Sequence, residues 1–378
     1  MRILHVTEAS WAGTLQVVRT LVADQAANGH AVTLAYADQP QAPAELALTA
    51  AAGVELAPLE WTRRWPAAQL AAGRVLRRLV RERRPDLVHL HSSFAGAVGA
   101  LSLSLSRVPL IYTPHGFAFA RKGVGRATGA AVRAVEALVA RRCALVGAVS
   151  EAEAELARDG LRAPRVAVVR NGIPELDGAV PERSLDRAEP LVVALGRITE
   201  ARRPAGTARI LAALAPHARV AWIGGKSGDG DDRAVRDAGI PVTGWLPHGE
   251  ALERLAESTV YLHWSAWDGQ SLAILEAIAR DAVVVASDIP ANREIVGPRQ
   301  VCPDEPSAIA LARSVLEDPA LRAELLAEQR RRAPAFGARR MSAEWLALYA
   351  RTLRPASGAR MQTATAALAV RKIGDPWT

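Results

Sequence analysis

Short apolar segments alternate with longer helical segments along most of this chain, and this alternation restricts the possible folds more than any other feature. The apolar segments of the first half are Arg2–Val6, His30–Tyr36, Val54–Leu59, Asp86–His91, Leu110–Thr113, Leu145–Ser150 and Val166–Arg170. The helical segments between them include Thr14–Asn28, Ala67–Arg83 and Ala127–Arg142. Strands separated by helices indicate βαβ units, which form a parallel sheet with helices on both faces. The sequence therefore predicts an α/β protein.

A segment rich in proline, glycine and charge, Gly172–Pro190, interrupts the alternation and is typical of a linker. After it, strands are predicted at Leu191–Leu195, Arg219–Ile223, Val260–Trp264 and Ala282–Ala286, and helices at Ala205–Leu214, Glu250–Ala256 and Ser271–Arg280. The length of 378 residues also suits two domains. Because doubly wound sheets bind ligands at the carboxyl ends of their strands, two facing domains predict an interdomain cleft.

The composition is that of a globular protein, since half of the residues are hydrophobic and the mean hydropathy is +0.06. Cys143 and Cys302 are far apart and form no metal-binding motif, which fits two free thiols in a reducing compartment. No secretory signal is visible after Met1, and the most apolar window, Ala95–Tyr112, is interrupted by serines and Arg107. We therefore expect a cytoplasmic protein without a transmembrane span.

The formal net charge is +8, and the basic residues are concentrated in the first half. They are Arg63, Arg64, Arg74, Arg77, Arg78, Arg81, Arg83, Arg84, Arg121, Lys122, Arg126 and Arg133. One hypothesis places the helices expected at Ala67–Arg83 and Phe117–Arg133 against an anionic membrane surface. The alternative is a set of solvated helix faces. Nucleic acid is not expected as a partner, because the basic segments lack interleaved aromatic residues and no RNP-type or zinc-finger motif is present.

The segment Trp264–Ala279 places one glutamate in an otherwise apolar helix. Gly269, Gln270 and Ser271 can supply a turn and an N-cap, and the residues after them are apolar on nearly every face, so the helix should be buried. A buried carboxylate needs a partner, and Glu276 has two candidates. Arg280 lies four residues on, at helical ion-pair spacing. The alternative is a ligand diol, with the helix N-terminus next to it offering N–H groups to phosphate.

Three loops that follow predicted strands carry further polar residues. Thr7–Thr14 is a small-residue loop that opens a helix, but it lacks the spacing of a dinucleotide site. His115 precedes a glycine at a strand end, so a structural and a functional role are both open. In Gly196–Arg203, Arg197 and one of the next two arginines can converge on a diphosphate as bidentate donors. The alternative for these arginines is a solvated surface loop.

Taken together, these segments resemble the retaining nucleotide-sugar glycosyltransferases of the GT-B fold, specifically family 4 (glycosyl transferases group 1). The resemblance runs from Arg2 to about Leu353. The motifs that carry it are Ala12-Gly13, His115-Gly116, Val149-Ser150-Glu151, Arg170-Asn171-Gly172-Ile173, Gly196-Arg197 and the block Asp268–Ala279. Their order and spacing make the resemblance specific.

The resemblance implies roles for individual residues. Two glutamates eight positions apart contact the donor in that family; the second is Glu276, implied to bind the ribose hydroxyls, and the first falls on Asp268. The basic pair on the diphosphate falls on Arg197 and Arg202, where a lysine is usual, with Arg203 as a substitute if the loop shifts by one residue. His115 is implied to position the sugar. Further implied donor contacts are Gly269, Gln270, Ser271, Leu272, Gly196 and Asn171, and the implied acceptor side contains Gly13 and Glu8.

The implied activity is metal-independent transfer of a sugar, with retention of configuration, from a nucleoside diphosphate to a glycan or lipid-linked acceptor in bacterial surface-polysaccharide or related biosynthesis. No metal ion and no cofactor beyond the donor substrate are expected, and a peripheral position at the inner face of the plasma membrane is an open possibility. Two further family positions differ here: Asp281 replaces a glycine, and Ala12 precedes Gly13 where a second glycine is usual. Asp268 and Asp281 leave a non-catalytic GT-B subunit that binds nucleotide or a partner as one alternative function, and a sugar-nucleotide epimerase of the same two-domain architecture is the other.

The resemblance also implies the domain organisation. An acceptor-binding Rossmann-like domain is expected at residues 1–180, and a nucleotide-sugar-binding one at 181–340. A helix at 341–354 is expected to cross back to the first domain, followed by a tail at 355–378.

Overall fold

The computed structural model describes residues 1–8, 12–37, 43–59, 61, 66–120, 125–178, 189–227 and 230–354. The predicted tail, most of the predicted linker, and Arg63, Arg64, Arg121 and Lys122 lie outside these residues. The strands are β1 Arg2–Thr7, β2 Ala31–Ala37, β3 Glu55–Leu59, β4 Leu87–His91, β5 Leu110–Thr113, β6 Leu145–Ala148, β7 Val166–Val168, β8 Leu191–Leu195, β9 Arg219–Ile223, β10 Val260–His263, β11 Val283–Ser287 and β12 Val301–Cys302.

Helices alternate with these strands. They are α1 Ala12–Ala27, α2 Pro43–Ala51, α3 Pro66–Arg83, α4 Ser93–Ser102, α5 Arg126–Arg142, α6 Glu151–Glu155, α7 Pro204–Leu214, α8 Arg233–Asp237, α9 His248–Ala256, α10 Leu272–Ala279, α11 Pro290–Val296, α12 Glu305–Glu317, α13 Pro319–Arg332 and α14 Ala338–Leu353. The single helix expected at Phe117–Arg133 is wrong, because a short 3-10 turn at Ala118–Ala120 is followed by a separate helix that begins at Arg126.

The strands form two parallel sheets, which confirms the predicted α/β fold with two doubly wound units. The first sheet has the order β3-β2-β1-β4-β5-β6-β7, and the second has the order β12-β11-β10-β8-β9. The strand order reverses between β1 and β4 in the first sheet and between β8 and β10 in the second. Ligands of such sheets bind beyond the carboxyl ends of the strands at this reversal. The loops after β1, β4, β8 and β10 are therefore the places to examine for a site.

The last helix, α14, packs against α1 and the first sheet. Its Trp345 and Tyr349 are buried, and Gly147 in β6 makes room for them, since a side-chain carbon there would lie 2.0 Å from the Trp345 ring. The chain also makes a close contact before α14, where a carbon on Gly172 would lie 2.2 Å from the Gly337 carbonyl oxygen. The chain thus comes back to the first sheet after the second one is complete.

Within the described part of the chain, every helix is either too short or too polar to span a bilayer.

Candidate active-site cleft

The two sheet units approach each other at glycine residues. A side-chain carbon placed on Gly269 would lie 3.1 Å from the backbone nitrogen of Gly116 and 3.4 Å from the carbonyl carbon of His115. A carbon placed on Gly13 would lie 3.7 Å from Leu272. Gly13, His115 and Gly116 follow strands of the first sheet, whereas Gly269 and Leu272 lie at the start of α10. The structure therefore brings predicted residues from both units to one cleft.

The N-terminus of α10 opens into this cleft. Ser271 is in the N-cap position, but its buried hydroxyl makes no capping bond and has no hydrogen-bond partner among the described residues. Gln270 is held by the backbone of Asn171: its side-chain oxygen accepts from the Asn171 N–H at 2.7 Å, and its amide nitrogen donates to the Asn171 carbonyl at 3.2 Å. Unpaired N–H groups at a helix N-terminus together with an unpartnered hydroxyl suit an anion such as phosphate.

Arg202 lies in a polar network at the carboxyl end of β10. Its Nη1 donates to Asp268 at 2.8 Å and to the Ser265 hydroxyl at 2.5 Å, and lies 3.0 Å from His263 Nε2. Burial opposes the ionisation of Asp268, but the Arg202 guanidinium and His263 hold the pKa of that carboxyl well below its usual range. Burial and Arg202 together lower the pKa of His263 to about 4. A charged Arg202–Asp268 pair beside a neutral imidazole is therefore fixed at the strand-order reversal of the second sheet.

The other predicted residues of this loop surround Arg202. A side-chain carbon on Gly196, whose φ is 116°, would lie 3.9 Å from Arg202 Nε. Arg197 follows Gly196 and is exposed. Arg203 does not occupy the position of Arg202, because its left-handed backbone (φ 42°) directs its guanidinium to the Trp264 ring, 5.8 Å from the ring centre. The structure thus selects Arg202, and not Arg203, as the basic residue next to Asp268.

Glu276 is 7% exposed, and Arg280 does not pair with its carboxylate. Arg280 is the C-cap of α10, outside helical geometry, and its guanidinium instead donates to the Glu276 carbonyl at 3.2 Å and to Glu175 at 3.3 Å. The nearest basic side chain to the carboxylate among the described residues is His248, whose Nε2 lies 3.5 Å from it. Burial raises the pKa of Glu276, while His248 and Arg280 act in the opposite direction. The ion-pair hypothesis with Arg280 is therefore wrong, and the carboxylate has no close donor in the described part of the chain.

On the facing side of the cleft, a buried carboxylate fixes the His115–Gly116 loop. His115 has a φ of 51°, and the two oxygens of Glu153 accept the N–H groups of Gly116 at 2.6 Å and Val149 at 2.8 Å. Burial raises the pKa of Glu153 to about 7, although the two N–H groups act in the opposite direction. Glu153 therefore positions the histidine without reaching the cleft itself.

The acceptor-side prediction Glu8 follows β1 and is buried. It accepts a hydrogen bond from the hydroxyl of Ser92, which follows β4 and has a φ of 86°. Glu8 and Ser92 thus join the two strands that flank the reversal of the first sheet.

One group of side chains in the described ranges has a spacing that a metal ion requires, namely His5, His89 and His91. Each of their ring nitrogens, however, already faces a protein partner: Gln25, Tyr349, Thr113, His115 or a histidine of the group itself. The 2.9 Å contact between His5 Nδ1 and His91 Nε2 is also shorter than the roughly 3.3 Å between two imidazole nitrogens on one tetrahedral zinc ion. Hydrogen bonding accounts for this group better than metal ligation does.

Sequence reasoning missed several residues of the cleft and its surroundings. His263 and Ser265 could have been found, because they end a buried strand and begin the loop after it. The alternation of His89 and His91 within Leu87–His91 also places both on one face of that strand. His248 and Glu153 gave no local signal, since each reaches the site from a different helix.

Comparison with known proteins adds two matches to family models. The model described as Glycosyltransferase Family 4 matches residues 11–175, and the model described as Glycosyl transferases group 1 matches residues 189–317. A curated relative, the alpha-maltose-1-phosphate synthase of Mycolicibacterium smegmatis, is 29% identical over 245 residues. That alignment covers 56% of this chain and 61% of the relative, which is less than two thirds of the relative's length.

Solved structures share the fold at low sequence identity. Sucrose-phosphate synthase from Thermosynechococcus elongatus superposes with a TM-score of 0.80 at 18% identity, covering 93% of this chain and 98% of the other. Anabaena HepE in complex with UDP and glucose gives 0.76 at 17% identity, covering 93% and 100%. WaaG, a glycosyltransferase involved in lipopolysaccharide biosynthesis, gives 0.68 at 13% identity, covering 92% and 99%.

Proposed function

This chain belongs to the family 4, group 1 glycosyltransferases of the GT-B fold, and we propose that it transfers a sugar from a nucleoside diphosphate with retention of configuration. The acceptor we propose is a glycan or lipid-linked intermediate of bacterial surface-polysaccharide biosynthesis. WaaG, which shares the fold, takes part in lipopolysaccharide biosynthesis, and HepE has been crystallised with UDP-glucose. These neighbours support a nucleotide-sugar donor and a surface-glycan acceptor.

One observation carries the proposal: the start of α10 combines a site for phosphate with a site for a diol. The unpartnered Ser271 hydroxyl lies at the helix N-terminus, and Asp268, which pairs with Arg202, lies three residues before it in the sequence. Glu276 lies one turn further along the same helix, buried and without a close donor. A nucleoside diphosphate offers a diphosphate for the first group and a ribose diol for the second. Few other ligands satisfy both.

The chemistry follows from the charge that develops on the leaving group. The bond from the anomeric carbon to the phosphate oxygen breaks, and a bond to the acceptor oxygen forms on the same face. The acceptor proton passes to the departing phosphate oxygen, so no protein nucleophile is needed. Arg197, Arg202 and the N–H groups of α10 stabilise the growing negative charge, the task that a metal ion performs in other enzymes. His115, held by Glu153, faces the sugar across the cleft.

Incubation with UDP-, ADP- and GDP-sugars tests the proposal. We expect slow release of free nucleotide from one class of donor, because water can replace the acceptor, and a sugar that initially keeps the anomeric configuration of the donor, observed by NMR. An inverted first product would contradict retention. Nucleotide binding without any release, with the panel extended to acceptor candidates, would instead favour a non-catalytic binding subunit.

We further propose that the layer of helices α3, α4 and α5 rests on an anionic membrane. These helices pack side by side on one face of the first sheet. Leu70, Leu101, Val135 and Leu138 are exposed on these helices, and Leu105 is exposed in the turn after α4. Arg74, Arg77, Arg78, Arg81, Arg126, Arg133 and Arg141 are exposed beside them. Apolar side chains among arginines are the pattern of a helix surface that enters the headgroup region, where each basic residue adds about 1 kcal/mol of attraction.

Replacing Leu105 with glutamate should reduce recovery with anionic liposomes in flotation by about tenfold, because burying one leucine contributes about 1.5–3 kcal/mol. Leu105 is 98% exposed, so the folded protein loses no packing. Trp245→Glu, an exposed apolar position next to the second sheet, is the matched control and should float as the wild type does. Equal recovery of the wild type with neutral and anionic vesicles at low salt would assign the arginines to a solvated face instead.

A further inference from the structure

A row of three imidazoles runs through the first sheet from its interior to the cleft. His5 lies on β1, His91 on the neighbouring β4, and His115 in the loop after β5. His5 Nδ1 lies 2.9 Å from His91 Nε2, and His91 Nδ1 lies 3.0 Å from His115 Nε2. At the inner end, His5 Nε2 lies 2.9 Å from the side-chain oxygen of Gln25 in α1. The row is therefore continuous from a buried amide to the cleft histidine.

All three imidazoles are neutral at physiological pH. His5 and His91 are at most 1% exposed. Burial lowers the pKa of His5 and of His115 to about 4. Burial, together with the neighbouring histidines, lowers the pKa of His91 well below its ordinary value. Each ring consequently carries one N–H and one lone pair.

Counting protons shows that the tautomers of the row are coupled. The row contains three contacts, Gln25–His5, His5–His91 and His91–His115. When the Gln25 oxygen accepts, each contact uses one N–H, and each of the three rings supplies one. If Gln25 presents its oxygen, His5 donates to Gln25, His91 donates to His5, and His115 donates to His91 through Nε2. The proton of His115 is then fixed on Nε2, and Nδ1 is left with its lone pair. If the amide were reversed, every proton would move to the other nitrogen and Nδ1 of His115 would be a donor.

The surroundings of Gln25 favour the first arrangement. Tyr349 of α14 makes a 2.6 Å contact with His89 Nδ1, a length typical of an O–H donor. The Tyr349 hydroxyl thus donates a hydrogen bond to His89, and its oxygen lone pairs remain as acceptors. Burial raises the pKa of Tyr349, and the nearby Gln25 amide acts in the opposite direction. The structure itself turns the Gln25 oxygen to His5 Nε2 at 2.9 Å, and the buried Gln25 NH2 group makes no hydrogen bond among the described residues.

We infer that the row Gln25–His5–His91–His115 fixes the tautomer of His115, so that its Nδ1 faces the cleft as a hydrogen-bond acceptor for a hydroxyl of the donor sugar. Nδ1 of His115 has no protein partner among the described residues, and the loop that carries it touches Gly269 across the cleft. This assignment of the sugar contact rests on the proposed function, whereas the tautomer does not. Gln25 is accordingly a positioning residue that acts from the buried end of the row.

NMR of the donor-free full-length protein tests the tautomer directly. With ring-15N histidine, long-range 1H–15N spectra distinguish a protonated from an unprotonated nitrogen in each imidazole, and His115→Asn assigns the signals. We expect His115 to carry its proton on Nε2 alone. A proton on Nδ1 in the wild-type protein would overturn the inference without any variant at the row being needed.

Gln25→Met tests whether the amide sets the direction. This variant keeps the length of the side chain but removes the acceptor, so His115 should become a mixture of both tautomers. Gln16→Met, the same change in the same helix away from the row, should leave the His115 spectrum unchanged. An unchanged His115 spectrum in Gln25→Met would show that the row does not control it.

The sugar contact has its own measurement. In Gln25→Met, the KM for the donor sugar should rise about twofold, because only the roughly half of the molecules that carry the acceptor tautomer bind the sugar productively, while the affinity for the free nucleoside diphosphate stays at the wild-type value. If the tautomer of His115 changed while the KM for the donor stayed the same, the row would still control the tautomer, but the proposed contact with the sugar would be wrong. A protein that turns over no nucleotide sugar would refute the proposed function but leave the NMR result valid.

Discussion

Replacing Arg202 with methionine should lower the turnover number of glycosyl transfer by about 100- to 1,000-fold, the effect of removing one preorganised charge stabiliser from a transition state. Arg202 is held by Asp268, Ser265 and His263, so its guanidinium is oriented before the donor arrives. Because the charge on the phosphate grows as the glycosidic bond breaks, the loss should fall mainly on kcat. Steady-state kinetics with the preferred donor would measure it.

Two variants give this experiment its controls. Arg202→Lys keeps a cation where a lysine is usual in the family and should retain activity within about tenfold of the wild type, since only the bidentate geometry is lost. Arg203→Met changes the neighbouring arginine, which stacks on Trp264, and should leave turnover nearly unchanged. Equal losses in Arg202→Met and Arg203→Met would contradict the assignment of Arg202 to the leaving group.

Glu276→Gln should weaken nucleotide binding by about ten- to a hundredfold. Hydrogen bonds to a charged acceptor contribute about 1.5–3 kcal/mol, and glutamine replaces that acceptor with a neutral amide. The melting temperature should stay the same or rise, because the variant removes a buried charge that lacks a close partner in the empty cleft. Calorimetric titration with nucleotide and a thermal melt of the same variant provide both values.

Glu175→Gln is the matched control for Glu276. It makes the same chemical change on the carboxylate that Arg280 does bind, at a side chain that is 41% exposed. Its nucleotide affinity should match the wild type. If Glu276→Gln instead lost stability and kept wild-type affinity, the carboxylate would serve the fold and not the ribose.

The strands were the most predictable part of this protein. Leu110–Thr113, Leu191–Leu195 and Arg219–Ile223 begin and end where the sequence pattern places them, because each apolar run is bounded by polar residues or breakers. Helix α4, Ser93–Ser102, was not predicted, since its serines and glycines have low helix propensity. It is stabilised by close packing: a side-chain carbon on Gly99 would lie 2.4 Å from Leu90. Helix propensity depends on residue type alone and does not include such a tertiary contact.

The site residues that belong to sequence motifs could be predicted, but the contacts between elements distant in sequence could not. Asp268, Gln270 and Arg202 could be located from the family resemblance, but the resemblance did not show that Asp268 holds Arg202. Of the two partners that the sequence offers Glu276, a ligand diol and a protein cation, the second is the nearest one in sequence, Arg280. The observed neighbour, His248, comes from α9, and only the packing of that helix against α10 brings it close.

The departure from the family at Asp281 also has a structural explanation. Asp281 has a φ of 60°, in the region where glycine is usual, and aspartate tolerates it better than most residues. Its carboxylate, buried at 5% exposure, pairs with Arg330 of α13 through both oxygens. The side chain that replaces the glycine is thus compensated by a neighbouring cation, and the helix that carries Glu276 keeps its end.

The return of α14 has a consequence for how the protein is made. Tyr349 bonds His89, a residue 260 positions earlier, and Trp345 fills the space left by Gly147. Chains fold from the N-terminus as the ribosome releases them, so the first sheet emerges early but lacks its covering helix until the second sheet has been synthesised. The second sheet, whose strands are contiguous in sequence, can fold in the interval. The nascent first unit therefore leaves His89 and the surface at Gly147 uncovered during that interval, and α14 can close over them only after the second sheet has left the ribosome.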